Sequence, residues 1–148
     1  MRPRKQRKLA IIVLVALMMA SCGGDRIREA AKASDRMATL IGSTIDLKRD
    51  LAQSGQITPE EELALTNRLL EANTRVKQFN DYAKTLKEDT PQARLDLATT
   101  FNAVTNAVNK LSNEAIFPVK NAEAKKRLLA ILNSINASIA IIDAALKG

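Results

Sequence analysis

The chain has 148 residues, carries a formal charge of +7, and contains no histidine, no tryptophan and a single cysteine. Without histidine there is no imidazole base, and with one cysteine there is no ordinary zinc site, so an enzyme would have to work with carboxylates, lysines and hydroxyls alone. The positive charge is unevenly spread: Arg2, Arg4, Lys5, Arg7 and Lys8 sit ahead of the first acidic residue, Asp25.

Those five basic residues form the start of an export signal. Leu9 to Ala20 follow as an uninterrupted apolar run, and small residues Ala20 and Ser21 directly precede Cys22. That order is the order of a secretory signal, and twelve apolar residues fall short of the roughly 20 needed to span a bilayer as a helix. The stretch Leu17-Met18-Met19-Ala20-Ser21-Cys22 resembles bacterial lipoprotein signal peptides, with Met19 where leucine is usual. The resemblance covers residues 1–24 and implies cleavage before Cys22, then diacylglycerol and an acyl chain such as palmitate on the cysteine. Cys22 is thus the expected lipidation site. Gly23, rather than aspartate, follows it, which in double-membrane bacteria resembles lipoproteins sent on to the outer membrane, facing the periplasm. The alternative address is the cytoplasmic membrane or the cell surface, still lipid-anchored.

Removing residues 1–21 leaves 18 basic against 16 acidic side chains. Lys125-Lys126-Arg127 is then the only basic triplet, which argues against a nucleic-acid partner, because that footprint needs a clustered basic face. The remaining 127 residues suffice for one domain with a core. Residues 22–24 form the lipidated cysteine and a short tether, and residues 25–148 form the domain.

From Asp25 onward the pattern is helical throughout. The first helix is expected over 25–53, with Ala30, Ala33, Met37, Leu40, Thr44, Leu47 and Leu51 alternating by threes and fours, widened by Ile41 and Ile45. This spacing faces neighbouring helices along its full length. Gly55 stands where a left-handed C-cap suits glycine. Thr58-Pro59-Glu60-Glu61 then reads as a capping box with proline at the first helical position, opening a helix over 59–87 with core positions Leu65, Leu69, Ala72, Val76, Phe79, Ala83 and Leu86.

Thr90-Pro91 repeats the start signal for a helix over 91–115. Its stripe of Leu97, Phe101, Val104, Val108 and Leu111 lies 32 residues after the stripe of the second helix, and Ala115 extends it. Pro118 lacks a backbone donor and restricts Phe117, so a turn is expected there. The last helix is expected over 121–146 with Leu128, Leu132, Ile135, Ile139, Ile142 and Leu146 in register. Four long helices with short connections predict an all-α fold, an antiparallel up-down-up-down four-helix bundle.

Two features outside the stripes are candidate sites. Asn102, Asn106, Asn109 and Asn113 run along one side of the third helix, with Asn133 and Asn136 on the fourth. They are either register-setting amides or a polar groove for a sugar, peptide or small metabolite. Ile57, Ile116, Phe117 and Val119 make two turns unusually apolar. They either plug the end of the core or form a contact patch for a protein partner. The carboxylates show neither the paired acids of a glycosidase nor the Glu-x-x-His pairs of a di-metal bundle. Asp143 is expected to face outward or to pair with Lys147. No catalytic residue, metal site or cofactor is expected. The function these features favour is a non-enzymatic interaction or scaffolding module of the bacterial envelope, with a small-ligand-binding or sensory bundle as the alternative. The clean heptads leave a homo-oligomer open.

Overall fold

The computed structural model describes residues 26–148; the expected signal, the expected lipidation site Cys22 and the tether lie outside the described residues. Helix α1 spans Arg26–Gln53, α2 Pro59–Thr85, α3 Pro91–Lys110 and α4 Ala122–Lys147, and α3 runs directly into a π-helical turn over Leu111–Ile116. The fold is all-helical, with the four helices packed together. α1 packs on α2 and most extensively on α4, α3 packs on α2, and the contact between α3 and α4 is the thinnest of the four.

The start signals act as expected. Thr58 Oγ1 accepts from the Glu61 amide at 3.2 Å while Glu61 Oε2 accepts from the Thr58 amide at 2.9 Å, closing a capping box. Thr90 and Asn121 cap α3 and α4 by accepting from Ala93 and Ala124. Gly55 has φ of 68°, a left-handed conformation that a side chain would strain.

Hydrophobic periodicity then decides what goes inside. Leu65, Leu69, Ala72, Val76 and Phe79 of α2 are buried, and so are the five residues 32 positions later, Leu97, Phe101, Val104, Val108 and Leu111. The two phenylalanines meet with ring centroids 5.6 Å apart, within the favourable range for tilted aromatic pairs.

The expected stripes of α1 and α4 shift slightly. Ile41 is buried while Leu40 is half-buried, and Ser138 and Ala145 occupy the inner positions expected for Ile139 and Leu146, which are half-buried. Ala30, Ala33 and Ser34 are likewise buried on α1. Small side chains on both buried faces let two helix axes approach closely, so the register that buries them wins where α1 meets α4. Thr44 and Ser138 satisfy their hydroxyls on the carbonyls four residues back, which lets a polar group sit in the core without loss of a hydrogen bond.

Three links between sequence-distant segments fix the ends. The Arg26 amide donates to Asp89 Oδ2 at 3.2 Å, and Asp89 Oδ1 accepts from Arg94 at 2.7 Å. Gly148 lies against the Arg26 guanidinium. The Lys120 amide donates to Glu61 Oε1 at 2.9 Å. Asp89 therefore supplies an acceptor to the first turn of α1 from another part of the chain, and Glu61 uses one carboxylate oxygen for its own helix and the other for the segment before α4.

α4 is the most apolar element. Its best 18-residue window has a mean hydropathy of 1.7, long and apolar enough by composition to cross a membrane, yet only 33% of that window is buried in the bundle.

Candidate functional site

The apolar turns divide. Ile57, Ile116 and Val119 are buried, whereas Phe117 is 51% exposed. The cause is the winding of the chain after Lys110. Pro118 has no amide to donate to Glu114, and the Phe117 amide instead reaches back to Ser112 O at 2.9 Å, a five-residue step. The wider turn brings Ala115 and Ile116 both under the core and leaves Phe117 outside. Of the two alternatives the sequence leaves open for these four side chains, Ile57, Ile116 and Val119 take the plug, because burying them removes apolar surface from water, and of the candidate contact residues only Phe117 remains outside.

Beside Phe117 lies a shallow cleft of about 400 Å³ bounded by Thr58, Glu60, Glu61, Glu114, Pro118 and Lys120 among others. The backbone amide of Glu60 itself, at the start of α2, and then the Thr58 hydroxyl hold the Glu60 carboxyl below the usual carboxylate range, helped by the Lys120 charge, as donors at a helix N-terminus do.

A second polar cluster braces the π turn. Arg68 Nη1 binds Glu71 Oε2 at 2.7 Å, Lys110 Nζ binds Glu71 Oε1 at 2.9 Å, and Arg68 also pairs with Glu114. Hydrogen bonds from Lys110 and then Arg68 lower the Glu71 pKa, and the Arg68 pKa is raised, chiefly by Glu71. This network ties α2 to the end of α3. It was not foreseen, because only the Arg68–Glu71 pair is local in sequence.

The asparagine stripe faces solvent. Asn102, Asn106, Asn109, Asn113, Asn133 and Asn136 are all exposed. Phe101, Val104, Val108 and Leu111 take the inward side of α3, and at 100° per residue the amides fall nearly opposite rather than beside it. The structure brings together only two of the six: Asn102 and Asn136 line a cleft of about 370 Å³ between α3 and α4 with Phe101, Thr105, Ile139, Ala140 and Asp143. Asn133 lines another of about 480 Å³ with Lys120, Lys125, Lys126 and Leu129. Asn106, Asn109 and Asn113 line neither. The asparagine that does turn inward is Asn80, whose Nδ2 donates to Asp35 Oδ1 at 2.6 Å.

Asp143 pairs with Lys147 at 2.7 Å. Among the described residues, no three or more His, Cys, Asp or Glu side chains gather where a metal could sit. Comparison with protein-family models, with curated proteins and with solved structures finds no match to this chain.

Proposed function

We propose that the chain is a lipid-anchored protein of the bacterial envelope that acts as a non-enzymatic interaction module, binding a protein partner at the end of the bundle that carries Phe117. The observation that carries this reading is Phe117 itself. It is half exposed, whereas Ile116 and Val119 beside it and Ile57 of the α1–α2 turn are buried, and it is held there by a π turn and a proline. An apolar side chain fixed outward on a rigid support is a natural anchor for a partner pocket.

The bundle runs up-down-up-down. The Arg26–Asp89 and Arg26–Gly148 contacts support one common end for the start of α1, the α2–α3 link and the C-terminus. The Glu61–Lys120 contact supports the other, for the start of α2 and the segment before α4. Lipid on Cys22 then lies at the first end and Phe117 at the second, with Gly23 directing the protein to the outer membrane and the domain to the periplasm.

Intact-mass analysis of the native product tests the anchor: loss of residues 1–21 and acyl mass on Cys22 are expected, and a chain retaining them overturns it. Photo-crosslinking from position 117 in whole cells tests the contact. A discrete adduct is expected, and it should vanish with a probe at exposed Leu95. Equal adducts from both positions overturn it. A second reading, a small solute held between α3 and α4, is favoured by the Asn102–Asn136 cleft. Asn102→Ala and Asn136→Ala would each have to weaken binding of such a solute.

A further inference from the structure

We propose that the outward face of α4 pairs, antiparallel and about a two-fold axis, with the same face of a second copy of this chain. Every residue of that face lies within 26–148 and away from Phe117; only the setting of the pair at a membrane rests on the proposed lipid anchor.

The first observation is what the face lacks. From Leu128 to Ile142 α4 carries no charged residue: Leu129, Ile131 and Ile139 lie half-buried against the core, and the exposed positions between them are the small or amide side chains Ala130, Asn133, Ser134, Asn136, Ala137 and Ala140, with Ile141. Outward faces of bundle helices are normally charged, and a long uncharged one marks an interaction surface.

The second is a second seam. The inner seam runs through Leu128, Ile135 and Ile142. On the other side of the helix Lys126, Leu129, Asn133, Asn136, Ala140 and Asp143 follow one another at steps of 3, 4, 3, 4 and 3, the spacing of helix-pairing positions. None of these six is buried.

The third is that the seam reads the same from both ends. A two-fold axis at the midpoint, between Ser134 and Ile135, sets Lys126 against Asp143 of the second copy, Leu129 against Ala140 and Asn133 against Asn136. Each layer occurs twice, as an isologous interface requires. The charges are complementary, amide meets amide, and the largest apolar side chain meets the smallest. Asp143, bound to Lys147 on its own helix, gains a second cation. The two clefts along α4 are exchanged by the same axis: the one bearing Lys125, Lys126 and Leu129 covers the one bearing Phe101, Ala140 and Asp143.

Alternatives meet the same residues less well. A parallel pair sets Lys126 on Lys126 and Asp143 on Asp143. A hydrocarbon surface would leave Asn133 and Asn136 unpaired at the middle of the face, where an antiparallel pair satisfies both.

A single helix–helix contact along 26 residues, about 39 Å at 1.5 Å per residue, sits at the small end of stable interfaces, below about 1,200 Å². Dissociation near the micromolar range is expected in solution, with confinement to a membrane raising the effective concentration. The two Arg26 ends lie at opposite ends of the pair, so two lipid anchors enter one bilayer when the bundles lie along it.

The test uses the full chain in its native membrane and in detergent. Positions 129 and 140 are about 16 Å apart on one helix, too far for an internal disulfide. Leu129→Cys/Ala140→Cys should therefore give a reducible dimer, at least about tenfold above either single variant, since two copies are needed to bring the thiols into reach. The single variants also report any bond to Cys22. Lys126→Asp should weaken the pair about tenfold, as two exposed ion pairs become two repulsions, and Lys126→Asp/Asp143→Lys should restore it. Lys126 and Ala140 are exposed, so Lys126→Asp and Ala140→Cys should leave helicity and melting unchanged; Leu129 is half-buried against the core and Asp143 holds Lys147, so their variants should keep their helicity and melt slightly lower. Cross-linking by Leu129→Cys alone to the level of the double variant, charge exchange that restores nothing, or light scattering that shows only monomer at about 100 µM would each overturn the proposal.

Discussion

Truncating two neighbouring apolar residues, Ile116 and Phe117, should give opposite results in two assays. Ile116 is 1% exposed, so Ile116→Ala removes buried methyl groups and leaves a cavity in the core. Such changes cost about 2–5 kcal/mol, and about 3 is the working figure here. Phe117 has half its surface in water, so Phe117→Ala forfeits about 1 kcal/mol of burial. For a helical domain of residues 26–148, an unfolding entropy of about 2.1 cal/mol/K per residue makes each kcal/mol worth about 4 °C in melting temperature. Circular dichroism melts should therefore fall by about 12 °C for Ile116→Ala and about 4 °C for Phe117→Ala. Cross-linking to a partner from the nearby exposed position 120, which leaves Pro118 in place, should be lost in the second variant, and retained in the first below its melting point. Equal falls in melting temperature, or unaltered capture without the Phe117 ring, would refute the division of this turn into a plug and a contact.

Three further perturbations test the links that hold the ends. Glu61→Ala removes the carboxylate shared by the capping box and the Lys120 amide and should cost about 1–3 kcal/mol in denaturant melts; Glu61→Gln, which keeps acceptor capacity on one oxygen, should cost less. Asp89→Ala leaves Arg94, whose side chain is 18% exposed, without its carboxylate and takes the acceptor from the Arg26 amide, with an expected loss of about 2–4 kcal/mol. Exchange of the first amides of α1, followed by hydrogen exchange, should accelerate more than exchange in α2 in that variant. For Glu71 the folded-state pKa is depressed by Lys110 and Arg68, so its contribution is present above the unfolded carboxylate pKa and lost as pH falls through the lowered folded value. Acid melts of Glu71→Gln should show a shallower fall in stability over that window, and a slope identical to the parent's would mean the network is energetically silent.

The helices were legible in the sequence because all four carry heptad spacing, α2 and α3 open on Thr-Pro, and Gly55 stops α1. All ten positions of the 32-residue echo between α2 and α3 are buried, since an apolar stripe on a long helix has one place to go. Register was less legible where helices approach closely. Nothing local distinguishes Ile139 from Ser138 as the inner residue, because the choice depends on the small side chains of the helix across from it. The π turn was hidden for a related reason: Pro118 announces an interruption but not whether the chain will end its helix early or widen it. The Arg68–Glu114, Lys110–Glu71 and Asp35–Asn80 pairs join residues far apart in sequence, and no spacing rule reaches across helices. Four asparagines at steps of 4, 3 and 4 share one helix face, and spacing alone suggests that they flank the seam, but their phase puts that face behind it.

What separates Phe117 from the other exposed apolar residues is support rather than exposure. Leu63, Leu70 and Leu95 are more exposed than Phe117, yet they stand singly on α2 and α3 among polar neighbours such as Thr66, Asn67 and Asp96. Single exposed leucines are ordinary on a soluble surface and need no partner to explain them. Phe117 follows a turn whose winding is abnormal, whose next residue is proline and whose preceding side chain is locked in the core. Its immediate surroundings include the Glu71-centred network that braces the turn from α2. Loss of a rotamer on binding costs less when the backbone beneath is already fixed, so equal apolar area yields more affinity at residue 117 than at 63, 70 or 95. The same reasoning applies to α4, whose outward face is carried on a helix packed along its length against α1. In both places uncharged outer surface is carried on backbone already fixed by packing, the condition under which an ordered side chain costs least to bury against a partner.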